Sequence, residues 1–319
     1  MAINRVEIKD YLVFKGEFSA DFCLGVNVFI GGNGTGKTTL LRCLYELNQS
    51  YARLVDTNGY TLVDADGYTV VAESESEAGA HKRSWGTAIV GSRAKNYIYI
   101  PEKDILEHAK GLLPFIEQKD TGFSSLYKKV LISAQDIPTK TQSSMQKSIG
   151  QKISSIIGGY IEWVPSEGVF YMIKSNGYRI PFSNEASGFK RLGFLALLVT
   201  SGQLETNSVL FWDEPENSLN PEYIPVIVDI LLELANSGVQ IFIATHSYTL
   251  TRFFDVREDK SIDVCFHNMS KSEADQIICD SSPQYIKLVK NILEDTAGDV
   301  FEAVIKDARK YLLEADEDE

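Results

Sequence analysis

Three short runs are apolar at nearly every position, VNVFIG at residues 26–31, SVLFW at 208–212 and VQIFIA at 239–244. Runs of this length predict strands buried on both faces. Two further β-like segments, RVEIKDYLVF (5–14) and GEFSADFCL (16–24), precede the first run. A helical period follows it, with Leu40, Leu41, Leu44 and Leu47 setting the apolar face of a helix over residues 37–48. Alternation of apolar and polar residues around Asp66-Gly67 predicts a hairpin over 56–73, and ESESEAGAHKRSWGTA (73–88) has loop composition. NYIYIP (96–101) is a strand candidate, and EKDILEHAKGLLPFI begins a largely helical stretch over 104–157 whose start Pro101 favours. A second hairpin, GVFYMIKSNGYRIPF, turns at Asn176-Gly177 and leads into an apolar helix that starts from SNEASGFKR. A helix over 221–236 separates the last two buried runs, and beyond them come two short strands, DVCFH and QIICD, then helices over 283–313. Strands alternating with helices predict a parallel sheet with its ligand groups at the strand carboxyl ends.

Composition narrows the class. With 319 residues, 44% hydrophobic and 24% charged, the chain can bury a large core, and it is read as one domain over 1–319, with the 56–73 hairpin as an insertion and 104–157 as a helical lobe. No apolar stretch reaches the roughly 18 residues of a membrane span, and the N-terminus lacks a signal-peptide layout. The expectation is a cytoplasmic protein with no membrane partner. Cys23, Cys43, Cys265 and Cys279 show no metal-ligand spacing and read as buried thiols, without disulfide or zinc. The net charge of -13 argues against nucleic acid wrapping the whole surface, and EADEDE at the C-terminus reads as a solvated tail. Residues 119–152 hold six lysines against two aspartates. A solvated helical face is the favoured reading of that excess, with a contact surface for nucleic acid or a partner as the alternative.

Chemistry enters at Gly31-Gly32-Asn33-Gly34-Thr35-Gly36-Lys37-Thr38, followed by Thr39. Placed between a strand and a helix, this G-x-x-x-x-G-K-[ST] spacing is a phosphate-binding loop: its N–H groups surround phosphates, Lys37 neutralises oxygens and the Thr38 hydroxyl ligates magnesium. The strand SVLFW delivers Asp213 toward the same metal and Glu214 toward the terminal phosphate, where a carboxylate orients or deprotonates the attacking water. ATP and Mg2+ are the ligands these motifs call for.

In one order, GGNGTGKTT, EASGFKR, FWDEPENSLNP and IATHS resemble the ATPase domain of the ABC superfamily, more closely its SMC-like and OLD-like branch than the transporters. The resemblance covers residues 3–250. It implies an α/β P-loop NTPase of ABC head type, with an N-terminal antiparallel β subdomain, a mostly parallel core sheet and a helical lobe. It also implies that Ser187 and Gly188 cap, in trans, a γ-phosphate bound by a second protomer, with Lys190 adding positive charge, and that His246 touches the γ-phosphate. The helix N-terminus at Ser187-Gly188 agrees, since it offers free N–H groups to an anion. His81, His108 and His267 have no such context and read as structural or surface. Two departures separate the chain from transporters: no glutamine follows NYIYIP closely, and the signature is EASGF. Asn220 stands where transporters carry an aspartate. Tyr11 and Phe14 are candidates for stacking on adenine. The implied function is an ATPase that dimerises around two ATP molecules, with higher oligomers allowed, and that regulates a separate effector, for example a nuclease of anti-phage defence. A transporter nucleotide-binding subunit is the alternative.

Overall fold

The computed structural model describes residues 3–50, 64–65, 67–78, 81–91, 94–103, 105–110, 112, 125–135, 141–257 and 261–317. The centre is a six-stranded sheet of order β14-β13-β3-β12-β11-β7, in which β3 (Val26–Gly31), β7 (Asn96–Ile100), β11 (Ser208–Asp213), β12 (Gln240–Ala244) and β13 (Val264–Lys271) run parallel. Only β14 (Ile277–Ser282), at one edge, is antiparallel. Every residue of β3, β11 and β12 is buried, which is why these strands read as apolar runs without alternation. Helix α1 (Lys37–Ser50) follows β3.

An antiparallel sheet of order β2-β1-β6-β5-β4 forms the N-terminal subdomain. Its first two strands, β1 (Ile3–Tyr11) and β2 (Phe14–Asp21), correct the single segment expected over 5–14: the chain reverses at Leu12-Val13, with Asp10 and Leu12 at φ of 50° and 52°. No glycine or asparagine marks that turn. The expected loop at 73–88 is also corrected. β4 (Asp64–Ala65) and β5 (Gly67–Ala78) pair antiparallel with Ala65 opposite Gly67, as the expected hairpin requires, but β5 continues and pairs with β6 (His81–Gly91) down to Ala78 opposite His81. The reason is β1, which lies beside β6 and supplies the ladder that this polar sequence does not advertise. The rest of the 56–73 segment lies outside the described residues.

The lobe contains α2 (Ser125–Ser133) and α3 (Ser144–Ile157), the latter with a capping box at Ser143 and Gln146 and a left-handed Gly158 at its end. A three-stranded sheet, β8 (Gly159–Val164), β9 (Val169–Lys174) and β10 (Arg179–Pro181), contains the hairpin at Asn176-Gly177. It leads to α4 (Ser187–Thr200); α5 (Ile224–Asn236) and α6 (Tyr248–Val256) connect the core strands. Helix α7 (Ile292–Glu317) takes up most of the acidic end expected to be a tail. Of the lobe lysines, Lys152 pairs with Glu233 at 2.6 Å and Lys129 lies 5.7 Å over the buried Tyr45 ring. Lys119 and Lys140 lie outside the described residues. All four cysteines are free thiols, Cys43 buried and the others half-buried.

His267 is structural. It stacks on Phe29 with ring centroids 4.7 Å apart, and its Nε2 lies 3.1 Å from Asn27 Oδ1 while Nδ1 lies 2.7 Å from Ser281 Oγ. Burial lowers its pKa from 6.5 to about 3. Between those values the unfolded chain binds a proton that the folded chain refuses. The stability is therefore complete above 6.5 and falls as pH drops, by about 1.4 kcal/mol per pH unit. Denaturant melts of His267→Gln are expected to start less stable at pH 7.5, having lost the stacking, yet to decline less than the wild type between 6.5 and 4.5. Parallel pH profiles would place the acid sensitivity elsewhere.

Candidate functional site

The loop between β3 and α1 closes over its own lysine. Gly31 has φ of 139°, and a Cβ there would stand 2.1 Å from the Met269 carbonyl oxygen, so only glycine allows β13 to pass this close. The Thr35 hydroxyl donates to the Gly32 carbonyl at 2.8 Å and sets the curvature. Lys37 is buried; its Nζ donates to the carbonyls of Gly31 at 2.9 Å and Gly32 at 3.1 Å. Burial lowers its pKa to about 8, against the pull of Glu214 and Asp213.

A cleft of 480 Å³ opens beside this loop, with Asn33, Gly34, Gly36, Lys37, Thr38 and Thr39 on one wall. Gly31, Gly32 and Thr35 shape the loop without lining the cleft. The opposite wall is Glu102, Glu214, Asn217 and His246. Strand order explains the convergence: β7 and β12 flank β11, so their carboxyl ends bring Glu102 and His246 to either side of Asp213 and Glu214.

Asp213 is buried and held at both oxygens, by the Thr38 hydroxyl at 3.1 Å and the Tyr99 hydroxyl at 3.2 Å. Burial raises its pKa, while those two hydrogen bonds act to lower it. A hydroxyl and a carboxylate 3.1 Å apart beside a phosphate loop are hard oxygen donors of the kind that suit magnesium.

Glu214 takes a left-handed backbone, φ 52°, fixed by its N–H donating to the Ala244 carbonyl at 2.8 Å and its carbonyl accepting from Asn217 at 3.0 Å. For a residue other than glycine this conformation costs about 1 kcal/mol or more, and such strain gathers at working sites. Burial, then the carboxylates of Glu216 and Asp213, push its pKa up to about 8. His246 Nε2 lies 3.5 Å from Glu214 Oε1; burial and the Lys37 charge push the imidazole down, which leaves it neutral near pH 7.

Ser187 is exposed at the first turn of α4, where Ala186 provides no side-chain cap, and it does not line the cleft of its own chain. Gly188 is buried against the following turn: a Cβ would meet the Ser218 carbonyl oxygen at 2.6 Å. Lys190, expected to add positive charge to the cap, has an acidic partner within its own chain. It is buried, and its Nζ meets Glu107 Oε2 at 2.5 Å, so its charge is neutralised within the lobe. Asn220 caps the turn at Pro221–Tyr223 by accepting from the Glu222 N–H. Phe14 is buried in the core beside Phe18, and Tyr11 does not line the cleft; Val13, in the turn between β1 and β2, does.

Sequence patterns alone do not single out Glu102, Tyr99, Asn217 or Arg191. Glu102 follows the NYIYIP strand, in the region where transporters carry a glutamine, so an acid there is the available signal. Arg191, in the signature helix, donates to the carbonyls of Asp213 at 2.6 Å and Glu102 at 2.7 Å, tying α4 to both strand ends.

Together these features define an α/β fold built around a phosphate-binding loop. The chain belongs to the family described as "AAA domain, putative AbiEii toxin, Type IV TA system", whose profile matches residues 76–252. Among solved structures, the SMC head bound to the C-winged helix domain of ScpA superposes with a TM-score of 0.53 at 12% identity, covering 88% of this chain and 98% of that one. The SMC head with an extended coiled coil bound to the C-terminal domain of ScpA from Pyrococcus furiosus gives 0.49 at 10% identity, covering 95% and 99%. The SMC head domain from Thermotoga maritima gives 0.44 at 13% identity, covering 88% and 99%. No curated protein matches significantly.

Proposed function

We propose that the chain binds and hydrolyses ATP, dimerises head to tail around two nucleotides, and passes the nucleotide state to a separate effector protein. The observation that carries the reading is one cleft lined by Lys37, by Thr38 with its hydroxyl on the buried Asp213, and by the strained Glu214 beside His246. The loop N–H groups and the Lys37 ammonium hold the phosphates. Thr38 and Asp213 would hold magnesium, which when bound polarises the phosphoryl oxygens. Glu214 takes the proton of the attacking water. His246, neutral and 3.5 Å away, orients that carboxylate. Ser187 and Gly188, outside their own chain's cleft, are left to cap a nucleotide in the partner.

The effector is the least local part of the proposal. Its support is the family description, which names a toxin–antitoxin system, and the likeness to an SMC head bound to a domain of ScpA. An anti-phage nuclease is one effector of this kind. Among the described residues no helix is long and apolar enough to cross a membrane.

Calorimetry of ATP with magnesium tests the core of the reading. Lys37→Ala is expected to weaken binding by about 100-fold or more, the loss of a buried charge-assisted contact to phosphate. Unchanged affinity would sink the phosphate-loop assignment.

A further inference from the structure

The turn after β11 carries a second glutamate, Glu216, which so far enters only through the charge it sets against Glu214. Glu216, half-buried, points back across the sheet end to the loop that follows β12. Its Oε1 accepts from the Thr245 hydroxyl, a short bond, and from the His246 N–H at 3.3 Å. Thr245 is fully buried, its own N–H donates to Phe29, and its Oγ1 accepts from the Ser247 N–H at 2.9 Å. Ser247 in turn caps α6 by accepting from the Leu250 N–H at 3.1 Å. One carboxylate oxygen therefore anchors the backbone on which His246 stands.

The imidazole depends on that anchor. Its ring nitrogen Nε2 lies 3.5 Å from Glu214, and its side chain is 38% exposed, so packing alone does not hold it. The other oxygen of Glu216, Oε2, is buried and meets no donor among the described residues. Selection for stability alone works against a buried acceptor of that kind, whereas selection for the placement of a neighbour tolerates it.

We propose that Glu216 is a positioning residue, latching the loop at Thr245–Ser247 so that His246 faces Glu214 in the geometry for hydrolysis; this rests on the ATPase reading above. Glu216 touches neither the phosphate loop nor Thr38 and Asp213, and the one site group its charge acts on is Glu214, so its effect falls on turnover and not on nucleotide affinity; Glu216→Gln, which removes that charge but keeps the latch, separates the two routes.

The test separates these. Glu216→Ala and Thr245→Val are each expected to lower kcat by about 10- to 100-fold, as misplacement of a catalytic group does, with ATP affinity in calorimetry within about twofold of wild type. Glu216→Gln and Thr245→Ser are expected to restore most of kcat, since the amide oxygen and the shorter hydroxyl keep the same bonds. The double variant is expected to be no worse than the weaker single one, because both break one link. Thr245→Val is close in shape to threonine and tests the same link if Glu216→Ala does not fold. A readout independent of turnover is the ring resonances of isotope-labelled His246 in nucleotide-free protein, which should shift in Glu216→Ala and return in Glu216→Gln. Unmoved resonances, an unaffected kcat, or kcat and affinity falling together would each overturn the latch. Wild-type protein that binds but never hydrolyses ATP would instead sink the functional reading, while the His246 resonances still decide the latch.

Discussion

Replacing Glu214 by Gln is expected to leave ATP bound as tightly as in the wild type and to slow phosphate release by about 10²- to 10⁴-fold, the range for loss of a general base. The amide keeps the size and the hydrogen-bonding reach of the carboxylate but cannot accept a proton from water. Gln adds no negative charge to a cleft lined by Glu102, so affinity for a polyanion has no electrostatic reason to fall. With hydrolysis blocked, the ATP-bound form should accumulate. Light scattering of this variant in ATP and magnesium is then expected to show a doubled mass, and the wild type in ADP a single one. Wild-type turnover by the variant would show that the base lies elsewhere, and Glu102 is the next carboxylate on that wall of the cleft.

The parts of the site legible from sequence are those fixed by local chemistry. The phosphate loop is nine residues whose glycines and lysine have no other economical explanation, and β3 and β11 are so apolar that no partly exposed position suits them. Strand ends then deliver Asp213 and Glu214, and the family resemblance adds His246 at the end of the next strand. What escapes depends on partners distant in sequence. Lys190 looks like a free charge until Glu107, 83 residues earlier, is seen against it. The β5–β6 hairpin looks like a loop because its order comes from pairing with β1 and not from its own apolar pattern. Glu216 reads as one more acid in a turn, since its partners Thr245 and His246 lie on a neighbouring strand end. The reversal at Leu12-Val13 carries no turn residue, yet it brings Val13 to the mouth of the cleft, where Tyr11 and Phe14 are the candidates that aromatic chemistry suggests.

A chain carrying Ser187→Arg is expected to bind ATP normally and to lose hydrolysis almost completely. Ser187 is the position to change because its side chain is exposed and outside its own cleft. A Gly188 variant would confound the result, since any Cβ there collides with the backbone at Ser218 within the same chain. If the α4 N-terminus caps a phosphate held by a second copy, an arginine at Ser187 wedges the two copies apart at that point while each phosphate loop stays intact. Mixing this chain with Lys37→Ala then provides the stricter test. In a head-to-tail dimer of the two, one site combines both defects and the other combines neither, because loop and cap come from different chains. Half of the dimers in an equal mixture are of this mixed kind and each has one sound site of two, so about a quarter of wild-type activity should return if sites fire independently. Recovery well above the sum of the two variants alone supports capping in trans. If the mixture recovers nothing and Glu214→Gln also stays at monomer mass in saturating ATP, the sandwich is wrong for this chain. The partner that completes the cleft is then a different protein.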